Sequence, residues 1–316
     1  MLECPLRYLS ATLPGVGPSE VSPQPSQIIQ LAHLRMSVAT NVTIVGVGLI
    51  GGSIGLALRE RKLATRVVGC GRRQESLDKA LAVGAIDKGS TDLAASVADA
   101  QIVIVATPVA SVVEHVCQIV AATKAELITD VGSTKTLICR QIEEKLSSSK
   151  AQFVGSHPLA GDHRTGPENA RADLFADRTV VVTPTDATPA ELTRLAREFW
   201  KSLGAHVLEM DPEQHDRAVG ATSHLPHLVA SALAANTPAE YLPLAATGWA
   251  DTTRIAAGDP ELWTQIFAQN APAVLEELDR LIEQLAKLRT ELANSEWRPL
   301  QETLERAKQV RDALGN

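Results

Sequence analysis

Three clusters of residues in this chain have types and spacings suited to chemistry. The first is Gly46-Val47-Gly48-Leu49-Ile50-Gly51, which follows the β-branched run Val42-Thr43-Ile44-Val45. Such a turn lets Gly46 bend tightly, lets a pyrophosphate approach the backbone at Gly48, and lets the helix pack on the strand at Gly51. Leu49 and Ile50 open that helix, whose unpaired N–H groups suit an anion. The second cluster is Ser156-His157-Pro158-Leu159-Ala160-Gly161. A histidine at a strand end can accept a hydroxyl proton, because its ordinary pKa lies near neutrality, although a lone histidine is more often structural. The third is Ser223-His224-Leu225-Pro226-His227, where the two histidines stand three apart and share a helical face, and Pro226 is expected to kink the helix. That spacing also permits a metal, but no carboxylate nearby completes a ligand set, and core or capping roles compete. Further on, Asp251-Thr252-Thr253-Arg254 opens a helix whose Arg254 is able to pair with a substrate carboxylate, although arginines near helix starts are usually surface residues.

The second strand, Arg66 to Cys70, decides which dinucleotide the glycine turn takes. An NAD site usually has an acid here for the ribose hydroxyl; this chain runs into Gly71-Arg72-Arg73-Gln74. Two guanidiniums suit a 2′-phosphate, which arginine holds by charge-assisted bonds. NADP is therefore expected, with NAD possible and a solvated basic turn as the bland alternative.

These clusters need a scaffold, and the chain alternates strand and helix up to Met210. Strands are expected at Ile102 to Thr107, Leu127 to Val131, Phe153 to Gly155, Thr179 to Thr183 and His206 to Glu209, with helices over Gln74 to Val83, Ser111 to Ala122 and Thr136 to Ser147. The alternation predicts an α/β fold: a doubly wound, mostly parallel, Rossmann-type sheet with ligands beyond the carboxyl ends of its strands. After Asp211, a good N-cap followed by Pro212, only helices are expected: Glu213 to Asn236, Tyr241 to Ala257, Pro260 to Ala293 and Glu296 to Ala313. Leu275, Leu278, Ile282, Leu285, Leu288 and Leu292 give one of them an apolar stripe, read as core or dimer seam. The expected division is a flexible extension over 1–38, a dinucleotide-binding domain over 39–210 and an all-helical substrate and dimerisation domain over 211–316. Met36 stands just before the first strand, as a natural start would.

The 316 residues suffice for two cored domains. A net charge of −7 argues against nucleic acid and anionic lipid as partners. No apolar run approaches the roughly 18 residues of a membrane span. Cys4, Cys70, Cys117 and Cys139 are scattered without a CxxC pair, as buried thiols of a reducing compartment would be, so a cytoplasmic location is expected.

Taken together, GVGLIGGS at 46–53, ATP at 106–108, DVGSTK at 130–135, HPLAG at 157–161, SHLPH at 223–227, DTTRIA at 251–256 and GDPELW at 258–263 resemble the ordered motifs of the prephenate/arogenate dehydrogenases of tyrosine biosynthesis. The corner GCGRRQES is similar to the NADP-using arogenate branch. The resemblance spans about residues 41–295 and implies oxidative decarboxylation of an anionic cyclohexadienyl alcohol by a homodimer. It also implies roles. His157 would accept the ring hydroxyl proton and Ser133 would hydrogen-bond that hydroxyl or the nicotinamide end. Arg254 would bind a substrate carboxylate, with His224 and His227 beside it and Lys135 a further contact, while Thr107 and Pro108 would lie along the cofactor. No metal is implied. Two other readings compete: a β-hydroxyacid dehydrogenase, which would use a lysine where HPLAG offers a histidine, and a non-enzymatic NADP-binding protein.

Overall fold

The computed structural model describes residues 40–146, 152–161 and 164–315. The extension over 1–38 and Met36 lie outside them.

The sheet has eight strands in the order β3-β2-β1-β4-β5-β6-β7-β8. They are β1 (Asn41–Val45), β2 (Arg66–Cys70), β3 (Lys88–Ser90), β4 (Ile102–Val105), β5 (Leu127–Asp130), β6 (Phe153–Pro158), β7 (Thr179–Thr183) and β8 (His206–Glu209). Pairing is parallel except between β6 and β7. Chain order reverses between β1 and β4, which makes their carboxyl ends the crevice where such sheets bind ligands. The central strands are apolar throughout because helices cover both faces: Ile44, Ile104 and Ile128 have no exposed surface. The covering helices are α1 (Leu49–Glu60), α2 (Gln74–Ala82), α3 (Leu93–Val97), α4 (Val112–Ala122), α5 (Thr136–Leu146) and α6 (Ala190–Ser202).

The expected fold class holds, with local differences. The edge strand β3 and the one-turn helix α3 carry no strong periodicity; α3 forms on its cap, where the Asp92 carboxylate accepts from Ala95 N–H at 3.0 Å. Strand β6 runs three residues further than expected, so His157 and Pro158 lie inside it. Only Phe153 and Val154 pair with β5; the following residues pair with antiparallel β7, His157 opposite Val181. That second partner carries His157 past the carboxyl end of β5.

The helical part contains α7 (Pro212–Val219), α8 (Leu225–Ala235), α9 (Thr247–Thr253), α10 (Pro260–Ala293) and α11 (Trp297–Asp312). The single helix expected over 213–236 is instead two, joined by a π-helical turn at Gly220–His224 that ends just before Pro226. A proline cannot donate to the ladder, and a wider turn accommodates the carbonyl it leaves free. The segment expected to be helical over 241–257 keeps only α9 as α-helix, between 3-10 turns at Ala239–Leu244 and Arg254–Ala257. Helix α10 has the expected bounds but kinks at Asn270, two residues before Pro272.

Candidate active site

The glycine turn has the geometry a pyrophosphate requires. Gly46 has φ +100°, and a Cβ there would stand 2.4 Å from Ala106 O at the end of β4. A Cβ on Gly51 would fall 2.0 Å from Gly46 O, so α1 can sit this close to β1 only with glycine. At Gly48 a Cβ would meet nothing within 4 Å, which leaves the backbone open to a ligand. Helix α1 starts here with no side-chain cap and no acid in its first turn, so its positive end remains available. Leu49 and Ile50 are half-buried in that first turn. Across the crevice Thr107 follows β4 and its hydroxyl bonds His115 Nδ1 at 3.1 Å, next to the exposed Pro108. At the end of β2, Arg72 and Arg73 are exposed and have no ion-pair partner among the described residues. These residues fit a dinucleotide, and the two free guanidiniums fit one carrying a third phosphate.

Next along the crevice, Asp130 ends β5 with no exposed surface. Its carboxylate accepts from Ser156 N–H at 3.1 Å and Gly132 N–H at 2.9 Å, and it pairs with the ammonium of Lys135. Lys135 also has no exposed surface, so its ammonium is spent inside the protein. The expected contact of Lys135 with a substrate carboxylate stands as a proposal beside this internal pairing. The loop it braces carries Ser133, which is half-buried and has no hydrogen-bond partner among the described residues.

His157 is held from behind. Its Nδ1 lies 2.9 Å from His215 Nε2, and His215 Nδ1 lies 2.8 Å from the Asp216 carboxylate. That carboxylate also accepts from the backbone N–H groups of Lys135 and Thr136, at 2.8 and 2.9 Å. Asp216, from α7, thus caps the N-terminus of α5 and ties the helical part to the sheet. Burial raises the Asp216 pKa, but the hydrogen bonds from His215, Thr136 and Lys135 outweigh it and hold the group below its ordinary value. Burial, with the neighbouring His215, Lys135 and His224, holds His157 well below the ordinary histidine pKa. The imidazole is therefore neutral at pH 7 and able to accept a proton.

The kink in α10 brings in the third group. Asn270 Nδ2 donates to the Asp216 carbonyl at 2.7 Å and lies 3.0 Å from His224 Nδ1. Burial lowers the His224 pKa to about 4. His227 stacks on Trp263 at 3.5 Å and 14° between planes, and its Nδ1 is buried without a hydrogen-bond partner among the described residues. His224 meets the same indole edge-on at 6.0 Å. Arg254 follows α9 as an exposed guanidinium with no ion pair among the described residues, on a 3-10 turn. His157, His224, His227 and Lys135 therefore belong to one connected region. Nothing in the described contacts links Arg254 to it directly.

Four members of this region escaped the sequence reading. His215 and Asp216 lie within the first turns of a helix recognised only by its cap, and the adjacent imidazole and carboxylate were their signal. Asn270 is marked by a proline two residues on in a long helix, and Trp263 by its place in GDPELW.

Comparison with known proteins bears on both halves. The family model described as "Prephenate dehydrogenase, nucleotide-binding domain" matches residues 54–209, and "Prephenate dehydrogenase, dimerization domain" matches 211–306. The chain is 34% identical over 281 residues to prephenate dehydrogenase of Bacillus subtilis (strain 168), covering 86% of this chain and 76% of the relative. A solved prephenate dehydrogenase from A. aeolicus, in complex with hydroxyphenyl propionate and NAD+, superposes with TM-score 0.81 at 31% identity, covering 87% of this chain and 98% of that one. Synechocystis arogenate dehydrogenase superposes with TM-score 0.75 at 30% identity, covering 87% and 100%.

Proposed function

The chain belongs to the prephenate dehydrogenase family, and from that premise we propose that it oxidatively decarboxylates arogenate, or prephenate in its place, with NADP+ as hydride acceptor. It is an oxidoreductase of tyrosine biosynthesis using a nicotinamide cofactor. The alternative readings, a β-hydroxyacid dehydrogenase and a non-enzymatic NADP-binding protein, fall with that membership. NADP+ is put first because Arg72 and Arg73 are exposed at the end of β2, where an NAD site usually has an acid, and arogenate because the corner GCGRRQES is similar to the NADP-using arogenate branch. The relative solved with NAD+ bound makes cofactor choice a question for measurement.

The observation that carries the mechanism is the 2.9 Å hydrogen bond between His157 Nδ1 and His215 Nε2, which leaves His157 Nε2 without a partner among the described residues. A bound nicotinamide would supply the acceptor for the hydride that leaves the hydroxyl-bearing ring carbon. His157 accepts the hydroxyl proton as the hydride leaves, and Ser133 orients that hydroxyl. Loss of the ring carboxylate as CO2 completes an aromatic ring, which makes the step effectively irreversible. Arg254 pairs with a substrate carboxylate, and His224 and His227 line the pocket around it. Gly46, Gly48, Leu49, Ile50 and Gly51 would hold the pyrophosphate, Arg72 and Arg73 the 2′-phosphate, and Thr107 and Pro108 would lie along the cofactor near its nicotinamide ribose. Positioning an anion in a partly dry site and accepting one proton supply most of the barrier reduction in such a reaction.

We assign the dinucleotide-binding domain to residues 39–210 and the substrate and dimerisation domain to 211–316. The stripe on α10 is the proposed homodimer seam: Leu275, Ile282, Leu285 and Leu292 are each more than half exposed in the single chain, which excludes a core role. The substrate is a small anion; no helix of the described residues is long and apolar enough to cross a membrane. Cys70, Cys117 and Cys139 are free thiols, in keeping with a cytoplasmic enzyme.

A steady-state assay with arogenate and prephenate, each with NADP+ and NAD+, tests the proposal. Turnover greatest with arogenate and NADP+ is expected. A preference for prephenate or NAD+ overturns the specificity, and silence in all four combinations from folded, cofactor-binding protein overturns the activity.

A further inference from the structure

We propose that Asp216 is a positioning residue that sets opposite tautomers on two site histidines, making His157 Nε2 a proton acceptor and His224 Nε2 a donor. The inference rests on the reading of His157 as the base and adds how the fold prepares it.

The assignment follows from which atoms can only donate or only accept. The Asp216 carboxylate, already accepting from two backbone N–H groups, can only accept, so the 2.8 Å contact puts a proton on His215 Nδ1. His215 buries fully and stays neutral if its Nε2 carries a lone pair. The 2.9 Å contact to that lone pair then requires the proton of His157 on Nδ1. His157 Nε2 is left as an acceptor, with no partner among the described residues.

The other side of Asp216 works by the same logic. Its backbone carbonyl can only accept, so the Asn270 atom 2.7 Å away is the amide nitrogen. The same nitrogen lies 3.0 Å from His224 Nδ1, which must therefore be the lone pair, and the His224 proton goes to Nε2. One residue thus holds an acceptor and a donor ready at the ends of two separate relays. A cyclohexadienyl substrate offers the matching partners, a hydroxyl that gives up a proton and a carboxylate oxygen or carbonyl that takes a hydrogen bond. When His157 becomes an imidazolium, its Nδ1–H still points at His215 and, through it, at the Asp216 charge.

The test is nitrogen-15 NMR of the full-length protein labelled at histidine, with the signals of His157 and His224 identified by their loss in His157→Asn and His224→Asn. The expected result is a proton on Nδ1 of His157 and on Nε2 of His224. Finding either histidine in the other tautomer overturns the proposal. Kinetics supply the second arm. His215→Phe removes the acceptor for His157 and should cut kcat by about 10²–10³, of the order seen when a catalytic histidine loses its correct tautomer or a general base is lost, with KM for NADP+ little changed. His215→Gln, whose amide oxygen falls near the lost Nε2, should recover at least ~10-fold of that loss. Equal impairment in both variants would mean that His215 only fills space. Absent turnover in the unmodified protein, with the tautomers as expected, would instead strike the proposed activity.

Discussion

Lys135 and Asp130 form an ion pair from which water is excluded on both sides, each side chain having no exposed surface. Asp130 also holds Ser156, the neighbour of His157, while the Lys135 backbone binds Asp216. The pair therefore ties the end of β5 to β6 and, through Asp216, to α7. Removing one member leaves the other buried and uncompensated, which costs about 3–5 kcal/mol. Lys135→Met is expected to lower unfolding stability in urea by that order. A variant of unchanged stability and raised substrate KM would restore Lys135 to the role of a substrate contact.

His157→Asn keeps a polar side chain of similar reach and removes the base. Turnover is expected to fall by about 10²–10⁴, while NADP+ affinity, read by quenching of protein fluorescence, stays within a few-fold. Retained turnover would take His157 out of the chemistry.

Arg72 and Arg73 are free at the end of β2. Hydrogen bonds to charged groups contribute about 1.5–3 kcal/mol each, so Arg72→Ala with Arg73→Ala should raise KM for NADP+ by roughly ten-fold or more and leave NAD+ nearly unaffected. Equal losses with both cofactors would show that this corner does not read the 2′-phosphate.

The site histidines have folded-state pKa values below the ordinary 6.5, His224 at about 4 and His157 well below 6.5, both chiefly through burial. Unfolded chains bind protons at these positions from pH 6.5 downward and the folded protein does not. Stability should accordingly fall as pH falls through the window from 6.5 to about 4, by up to ~1.4 kcal/mol per pH unit for each histidine. Urea midpoints measured between pH 7.5 and 4.5 test the sign. The acid limb of the kcat profile should likewise lie below pH 6.5; a limb above it would mean that His157 is not held neutral by burial.

Ile282 and Leu285 expose 53% and 54% of their surface at the centre of the α10 stripe. Charging both, as Ile282→Glu with Leu285→Arg, should convert a dimer into monomers in sedimentation at micromolar concentration. Dimers surviving intact would move the seam elsewhere.

How much of this was legible in the sequence depended on whether a feature is local. The glycine turn was readable because its constraints act within one βα unit, as the close approach of Gly51 to Gly46 O bears out. The sheet followed from apolar runs, and α10 from its spacing. What sequence could not reveal was pairing across distance. Lys135 and Asp130 stand five residues apart, and only burial makes them partners. His215 lies 58 positions from His157, and no periodicity connects them. Even β6 was read short, because the antiparallel partner that lengthens it comes from later in the chain.

The π-helical turn at Gly220–His224 has a mechanical consequence. It follows Asp216, whose carbonyl receives the Asn270 amide, and ends at His224, which receives the same amide's second hydrogen. In a regular α-helix each residue advances the azimuth by roughly 100°, so the phase of the two ends is a matter of residue count. Shortening the turn by one residue would rewind it to ordinary pitch and swing His224 about a quarter of the way round the axis, out of reach of Asn270. The relay is in this sense geared: the tooth spacing of one widened turn sets which partner each end can mesh with, and a single lost residue would disengage it while every side chain of the site remained present.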